Sequence, residues 1–296
     1  MDEKEKGQAK ELTEKEKKDL ERLAENHWNS VVLPGLLDGY TLFPSQVLAD
    51  YGYRRQHPKF RGWNPLDTAF DLAWKRNLDV MIGLNPYMMV WGGVRRPPFF
   101  RKHPEWAARP HPQRKQPKPG GRVHPVYFCP VNMEYRRFIG DILCALVEAY
   151  PFHGIVFDLR FYPFFTERAN ENVTYCYCKE CRRLTLRDLG FDPVTVDFVR
   201  ERGMVERWRN WQIQQLDNAM SYLRLRTLKA RRTVRILGLL TTDSGIGANR
   251  PEPLKHWKTW LERSLVEALV LDGYDPDPSK FAEQFKADLE MMPSNS

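Results

Sequence analysis

Three of the five cysteines fall within six residues, as Cys176-Tyr177-Cys178-Lys179-Glu180-Cys181. Neighbours at this spacing cannot all pair with one another as disulfides, whereas reduced thiolates so placed can surround one metal ion. A structural zinc needs four ligands in a tetrahedron, and short cysteine spacings supply several from one turn. The fourth must come from elsewhere. Cys129 stands in Phe128-Cys129-Pro130, within a long irregular stretch, while Cys144 lies in Ile142-Leu143-Cys144-Ala145-Leu146-Val147, on the apolar face of a helix. A thiol in that setting serves as a small core residue. Cys129 is therefore the expected fourth ligand, with His124 in reserve. Lys179, Arg182 and Arg183 are expected to offset the negative charge of the cluster. Four thiolates leave no open position for a substrate, so the expected Zn2+ is structural. The competing readings are unligated loop cysteines and a redox pair; the second is weaker, because a Cys-x-x-Cys redox motif opens a helix in a different fold.

The other residues that could do chemistry are carboxylates at the ends of apolar runs. Asp158 closes Gly154-Ile155-Val156-Phe157-Asp158 and is followed by Arg160 and Tyr162, which are expected to lower its pKa and orient it. Asp158 is the candidate nucleophile or charge stabiliser, set against a structural ion pair with Arg160. Asp243 and Asp272 also end strand-like runs and are the candidate partners, with Glu167 on the loop after Asp158 as a further possibility. Asp38, Tyr40, Asn85, Tyr87, Trp91, Arg160, Tyr162 and Tyr274 stand just beyond such runs and are the candidate substrate contacts, through hydrogen bonds to hydroxyls and stacking on apolar sugar faces. Two carboxylates across a glycosidic bond, about 5 Å apart for retention and further for inversion, would hydrolyse it.

These residues need elements to hold them. Thr13 to Glu16 is a capping box opening a helix with Leu20, Leu23 and Ala24 on its apolar side. Short apolar strands are expected at Ser30–Pro34, Leu78–Leu84, Gly154–Asp158, Val234–Leu240 and Ala268–Leu271. Between them, helices are expected from Asn64-Pro65, over Tyr135–Tyr150, at 179–189 and 194–230, and over about Pro253–Ser264. Continuous apolar strands alternating with helices predict parallel strands covered on both faces. In a (β/α)8 barrel the loops after the strands converge on one face, where active sites sit. A doubly wound sheet is disfavoured, since neither GxGxxG nor GxxxxGK[ST] occurs. The expected fold is an α/β, TIM-barrel-like (β/α)8 domain over 13–277, with 1–12 and 278–296 as tails. Only five strands are legible, so the barrel is expected to be incomplete, with its first and last strands missing.

The composition is that of a globular protein: 296 residues, 42% hydrophobic, with nine Trp. The formal charge of +8 raises nucleic acid as a partner. The excess lies in the 95–122 loop and along 200–235 rather than in one stripe, and no zinc-finger His spacing follows the cysteines, so that partner ranks last. No apolar run approaches the roughly 18 residues of a membrane helix. The amino terminus has no apolar signal region, which places the chain as written in the cytoplasm; a missing leader would make it extracellular or periplasmic.

Two resemblances bear on function. Trp63-Asn64-Pro65-Leu66-Asp67, the run Ala73–Val80, Asn85-Pro86-Tyr87, Gly154–Asp158, Tyr162-Pro163, Trp208–Trp211 and the stretch Trp260–Tyr274 resemble the glycosyl-hydrolase-like family ten, barrel proteins related to the α-amylase-type clan. The match runs from about residue 13 to 277 in short pieces and lacks that family's opening Arg-Gly-x-Trp strand. It implies a carbohydrate substrate or ligand. The pattern Tyr127-Phe128-Cys129-Pro130 with Cys176–Cys181 is similar to the four-cysteine zinc site of microbial β-galactosidases, which supports Cys129 as a ligand. The Asn-Glu acid of those enzymes is absent here, where the chain reads Phe157-Asp158-Leu159-Arg160, so their mechanism does not carry over. The expected activity is glycoside hydrolysis on a polysaccharide or glycan; the competing expectation is a catalytically inactive or truncated barrel that binds glycan or protein.

Overall fold

A computed structural model describes residues 13–37, 39–88, 102–112, 127–158, 176–197, 200–241, 257–272 and 277–290. Five strands form one parallel sheet in the order β1 (Ser30–Pro34), β4 (Asp79–Leu84), β5 (Gly154–Asp158), β6 (Arg235–Thr241) and β7 (Ala268–Asp272). The register is continuous: Leu33 faces Ile82, Ile82 faces Ile155, Ile155 faces Ile236, and Leu237 faces Ala268. Each step between neighbours carries helix: α3 (Pro65–Trp74) before β4, α4 (Met133–Ala149) before β5, α5 (Lys179–Leu189) and α6 (Arg202–Ala230) before β6, and α7 (Trp257–Glu262) before β7. Parallel neighbours require such crossovers, and the strands between them are apolar because helices cover the sheet. Ile82, Leu84, Ile155, Val156, Phe157 and Ile236 are buried accordingly. The strand-helix alternation expected from the sequence is the observed fold, an open arc in which, among the described residues, no strand joins β7 back to β1.

Helix starts follow their caps. Thr13 Oγ1 accepts from Glu16 N at 3.2 Å, and Glu16 Oε2 accepts from Thr13 N at 2.7 Å, which opens α1 (Glu14–Glu25). Asn64 Oδ1 caps α3 and Asn132 Oδ1 caps α4. The helix expected from 194 begins only at Arg202. Asp192 accounts for the delay: its carboxylate accepts from Val194 N and its carbonyl from Thr195 N, a side-chain-stabilised turn around Pro193 that competes with helix. The stretch after β1, expected as loop, contains a small antiparallel pair, β2 (Leu36–Leu37) and β3 (Tyr40–Thr41), then a short helix α2 (Gln46–Asp50). Of the helix expected over 253–264, Trp257–Glu262 is described as helical. Helix α8 occupies Pro278–Glu290.

Two details differ from a sheet of uniformly buried strands. Among the described residues β1 pairs on one side only, and Val32 is 47% exposed, so the expected buried strand is an edge strand there. Inside the sheet, Gly154 is fixed by contact: a Cβ there would sit 2.7 Å from Leu237 Cδ1 and 3.2 Å from the Arg235 carbonyl oxygen. Gly154→Ala is expected to lower stability by about 1–3 kcal/mol through overpacking. Urea denaturation checks this, and a variant within experimental error of the parent would remove that packing constraint.

Candidate metal centre and strand-end face

Two connections that follow strands carry the four cysteines. Cys129 lies in the segment between β4 and α4, Cys176 and Cys178 at the end of the segment between β5 and α5, and Cys181 in the first turn of α5. Both leave the carboxyl ends of their strands, the side where parallel α/β sheets place their sites. Cys129 is fixed by a short ladder: its N–H donates to the Trp106 carbonyl at 2.9 Å, Phe128 N donates to the Tyr87 carbonyl at 2.9 Å, and Ala107 bridges Phe128. Cys178 is the N-cap of α5 and accepts from Cys181 N at 3.4 Å. Cys176 Sγ accepts from Arg109 N at 3.1 Å and from Cys178 N at 3.4 Å.

The four Sγ atoms all lie within 4.8 Å of one another; Cys129 is 3.4 Å from Cys181 and 3.8 Å from Cys178. A tetrahedral zinc with Zn–S bonds of about 2.3 Å requires sulfurs about 3.8 Å apart. The cluster therefore fits a tetrathiolate metal ion, and the backbone N–H groups aimed at sulfur suit charged acceptors. Cys129, Cys176 and Cys181 are buried, and Cys178 is partly so. Crowded thiols cannot all ionise. Cys129, Cys176 and Cys181 around Cys178 hold that thiol well below its usual range. The Cys176 and Cys178 sulfurs, with burial, push Cys129 up, and Cys129, Cys176 and Cys178, with burial, push Cys181 up. A dication at the centre would allow all four to be thiolates.

The cluster has a small core of its own, formed with Ala108, Val131, Tyr177, Phe191, Trp208 and Trp211. Trp208 packs on Tyr177 with centroids 4.9 Å apart, and Trp211 Nε1 donates to Asp188 at 2.8 Å. Cys144 is apart from it, half-buried, with its thiol on the Arg226 carbonyl at 3.5 Å. The cations expected to offset the cluster are already engaged in part: Arg182 with Asp192 at 3.0 Å and Arg183 with Glu180 at 2.9 Å.

On the strand-end face, Asp158 is the last residue of β5 and is partly exposed. Asn85 follows β4, whose Leu84 is in register with Phe157, so Asn85 and Asp158 follow paired residues on adjacent strands. Asn85 Oδ1 accepts from Tyr87 N at 3.1 Å and Met88 N at 2.8 Å, and its buried Nδ2 has no hydrogen-bond partner among the described residues. Tyr87 is fully buried against Tyr135, and Tyr40 is buried beside His57. Burial raises the Tyr87 hydroxyl above its ordinary value. Asp272 is the last residue of β7, placed by its backbone alone. Asp38, Trp91, His124, Arg160, Tyr162, Glu167, Asp243 and Tyr274 lie outside the described residues. One buried residue near the cluster escaped the sequence reading: Arg136, on the Ile139 and Leu143 face of α4. Its place at i−3 and i−7 within an apolar stripe was the available signal.

A family model described as glycosyl hydrolase-like 10 matches residues 8–294. No curated protein matches the chain. Among solved structures, the chain is similar to α-L-fucosidase isoenzyme 2 from Paenibacillus thiaminolyticus, at 15% identity and a TM-score of 0.54 over 94% of this chain and 46% of that one. It is also similar to the glycoside hydrolase domain of PgaB (BpsB) from Bordetella bronchiseptica, at 17% identity and a TM-score of 0.58 over 92% and 73%. A third is the β-galactosidase from the haloarchaeon Halorubrum lacusprofundi, at 12% identity and a TM-score of 0.58 over 94% and 43%. The chain spans less than half the length of the first and third. At these identities the likeness bears on fold, which is that of TIM-barrel glycoside hydrolases.

Proposed function

The chain belongs to the glycosyl hydrolase-like 10 family, and on that premise we propose that it hydrolyses O-glycosyl bonds of a polysaccharide or glycan at the carboxyl ends of its parallel strands. The observation that carries this is Asp158, a carboxylate ending the central strand β5 beside the Asn85 turn. Asp158 acts as nucleophile or charge stabiliser, and Asp243 or Asp272 supplies the second carboxylate. Asn85, with Asp38, Trp91, Arg160, Tyr162 and Tyr274, contacts sugar. Asn85 Nδ2 suits a sugar hydroxyl as acceptor, because a buried donor without a partner is costly. Tyr40 and Tyr87 shape the face from beneath. The separation of the two carboxylates would set retention or inversion.

In the same reading the four cysteines hold a structural Zn2+. Cys129, Cys176, Cys178 and Cys181 would hold the ion as thiolates, their protons released to solvent, and the ion would tie the β4–α4 connection to the start of α5. Through Cys129, Phe128 and Tyr87, that tie reaches the Asn85 turn. The test is reducing-sugar release from a panel of polysaccharides and glycans by the zinc-loaded chain. Hydrolysis of one class is expected; binding of a glycan without turnover would replace this reading with a catalytically inactive glycan-binding barrel.

A further inference from the structure

Arg136 stands in the first turn of α4, seven residues after Cys129, and its side chain is turned into the protein, with the residue 8% exposed. Nε donates to the carbonyl oxygen of Pro130, the residue that follows Cys129. Nη2 donates to the Gln215 carbonyl on α6 at 3.3 Å, and Nη1 reaches Met133 Sδ at 3.7 Å. None of these acceptors is charged, and among the described residues no carboxylate forms an ion pair with it. A guanidinium buried in this way is strongly unfavourable unless an anion answers it. Burial does pull Arg136 down from its ordinary value, while Tyr87, Cys129 and Cys181 act in the opposite sense.

The cluster has the complementary deficit. Four thiolates around a dication carry a net charge of about two minus in a largely buried site. Arg182 and Arg183 are held by Asp192 and Glu180. Arg136 is bound to the backbone on the cluster's own loop, with its charge unspent.

We propose that Arg136 is the buried counter-cation of the four-cysteine metal site, and that its bond to the Pro130 carbonyl fixes the placement of Cys129. The inference rests on the zinc reading above. Its role is positioning and electrostatic; Arg136 is not a ligand.

The experiment compares wild type with Arg136→Gln, Arg136→Met and Arg136→Lys as full chains. Zinc content is measured by mass spectrometry, zinc affinity by competition with a chromophoric chelator, and stability by denaturation of the metal-free proteins. Arg136→Gln and Arg136→Met are expected to bind zinc about 10- to 100-fold more weakly, the range found for groups that support metal ligands. Arg136→Lys is expected to recover most of that loss, since it keeps the charge. A merely structural arginine would lower the stability of the metal-free protein and leave zinc affinity unchanged. Wild-type affinity in Arg136→Gln, or equal weakening in Arg136→Lys and Arg136→Gln, would overturn the proposal. If Arg136→Met does not fold, the Gln and Lys variants decide it, because both keep a polar head and differ in charge. A wild type that binds no zinc would instead refute the zinc reading itself.

Discussion

Removing the proposed structural zinc is expected to disorder the cysteine-bearing connections and sharply lower the thermal unfolding midpoint. Structural zinc sites bind with apparent free energies of about 10–16 kcal/mol. A domain's whole stability is about 5–15 kcal/mol. Ala108, Val131, Tyr177, Phe191, Trp208 and Trp211 gather around the sulfurs as a core separate from the main one, so the ion's loss is expected to be felt first there. Cys176→Ser is expected to act like a chelator and lose its full equivalent of zinc, because serine supplies no thiolate and the Arg109 N–H loses its sulfur acceptor. Acidification is expected to do the same. Cys129 and Cys181 are pushed up in the metal-free cluster, so protons compete with metal for them and affinity falls as pH falls. Trp208 and Trp211, two of the nine tryptophans, are packed in the cluster's core, so loosening it is expected to shift part of the intrinsic emission. Unchanged emission and an unchanged midpoint after verified zinc removal would show that the ion contributes nothing to the fold.

Asp158→Asn is expected to lower kcat on the responsive glycan by about 10³-fold or more, with a much smaller change in KM. The amide keeps the shape of the carboxylate and removes the charge or nucleophile on which the chemistry depends. Asp158 is partly exposed at the end of its strand, so the fold should tolerate the change. Denaturation midpoints matching wild type would separate lost chemistry from lost structure. Asp243→Asn and Asp272→Asn then identify the partner by which one falls comparably. An Asp158→Asn enzyme with wild-type kcat would remove Asp158 from the reaction.

The parts of the structure that depend on local pattern were readable in the chain. The five apolar runs became the five parallel strands, and Thr13 and Asn64 each cap a helix where an apolar stripe begins. Cysteine spacing proposed a fourth ligand 47 residues before Cys176, and the fold brings Cys129 within 3.4 Å of Cys181. What escaped reading depends on tertiary context. Val32 is exposed on a strand that has one neighbour among the described residues, a fact about sheet order and not about Val32. The β2–β3 pair is two residues long per strand, too short for any periodicity. Arg136 went unread because composition does not reveal that α6 packs against its side of α4. Tyr40 and Tyr87 were expected as ring contacts after strands, yet both are buried: the Cys129 segment returns over Tyr87, and Tyr40 packs edge-on against His57.

The tie between the two connections is the centre of this account, and X-ray absorption at the zinc edge tests it most directly. The purified chain is predicted to hold one zinc with four sulfurs at about 2.3 Å and no nitrogen or oxygen ligand. Protein free of zinc when purified under reducing conditions, or a shell in which nitrogen or oxygen replaces sulfur, would contradict it.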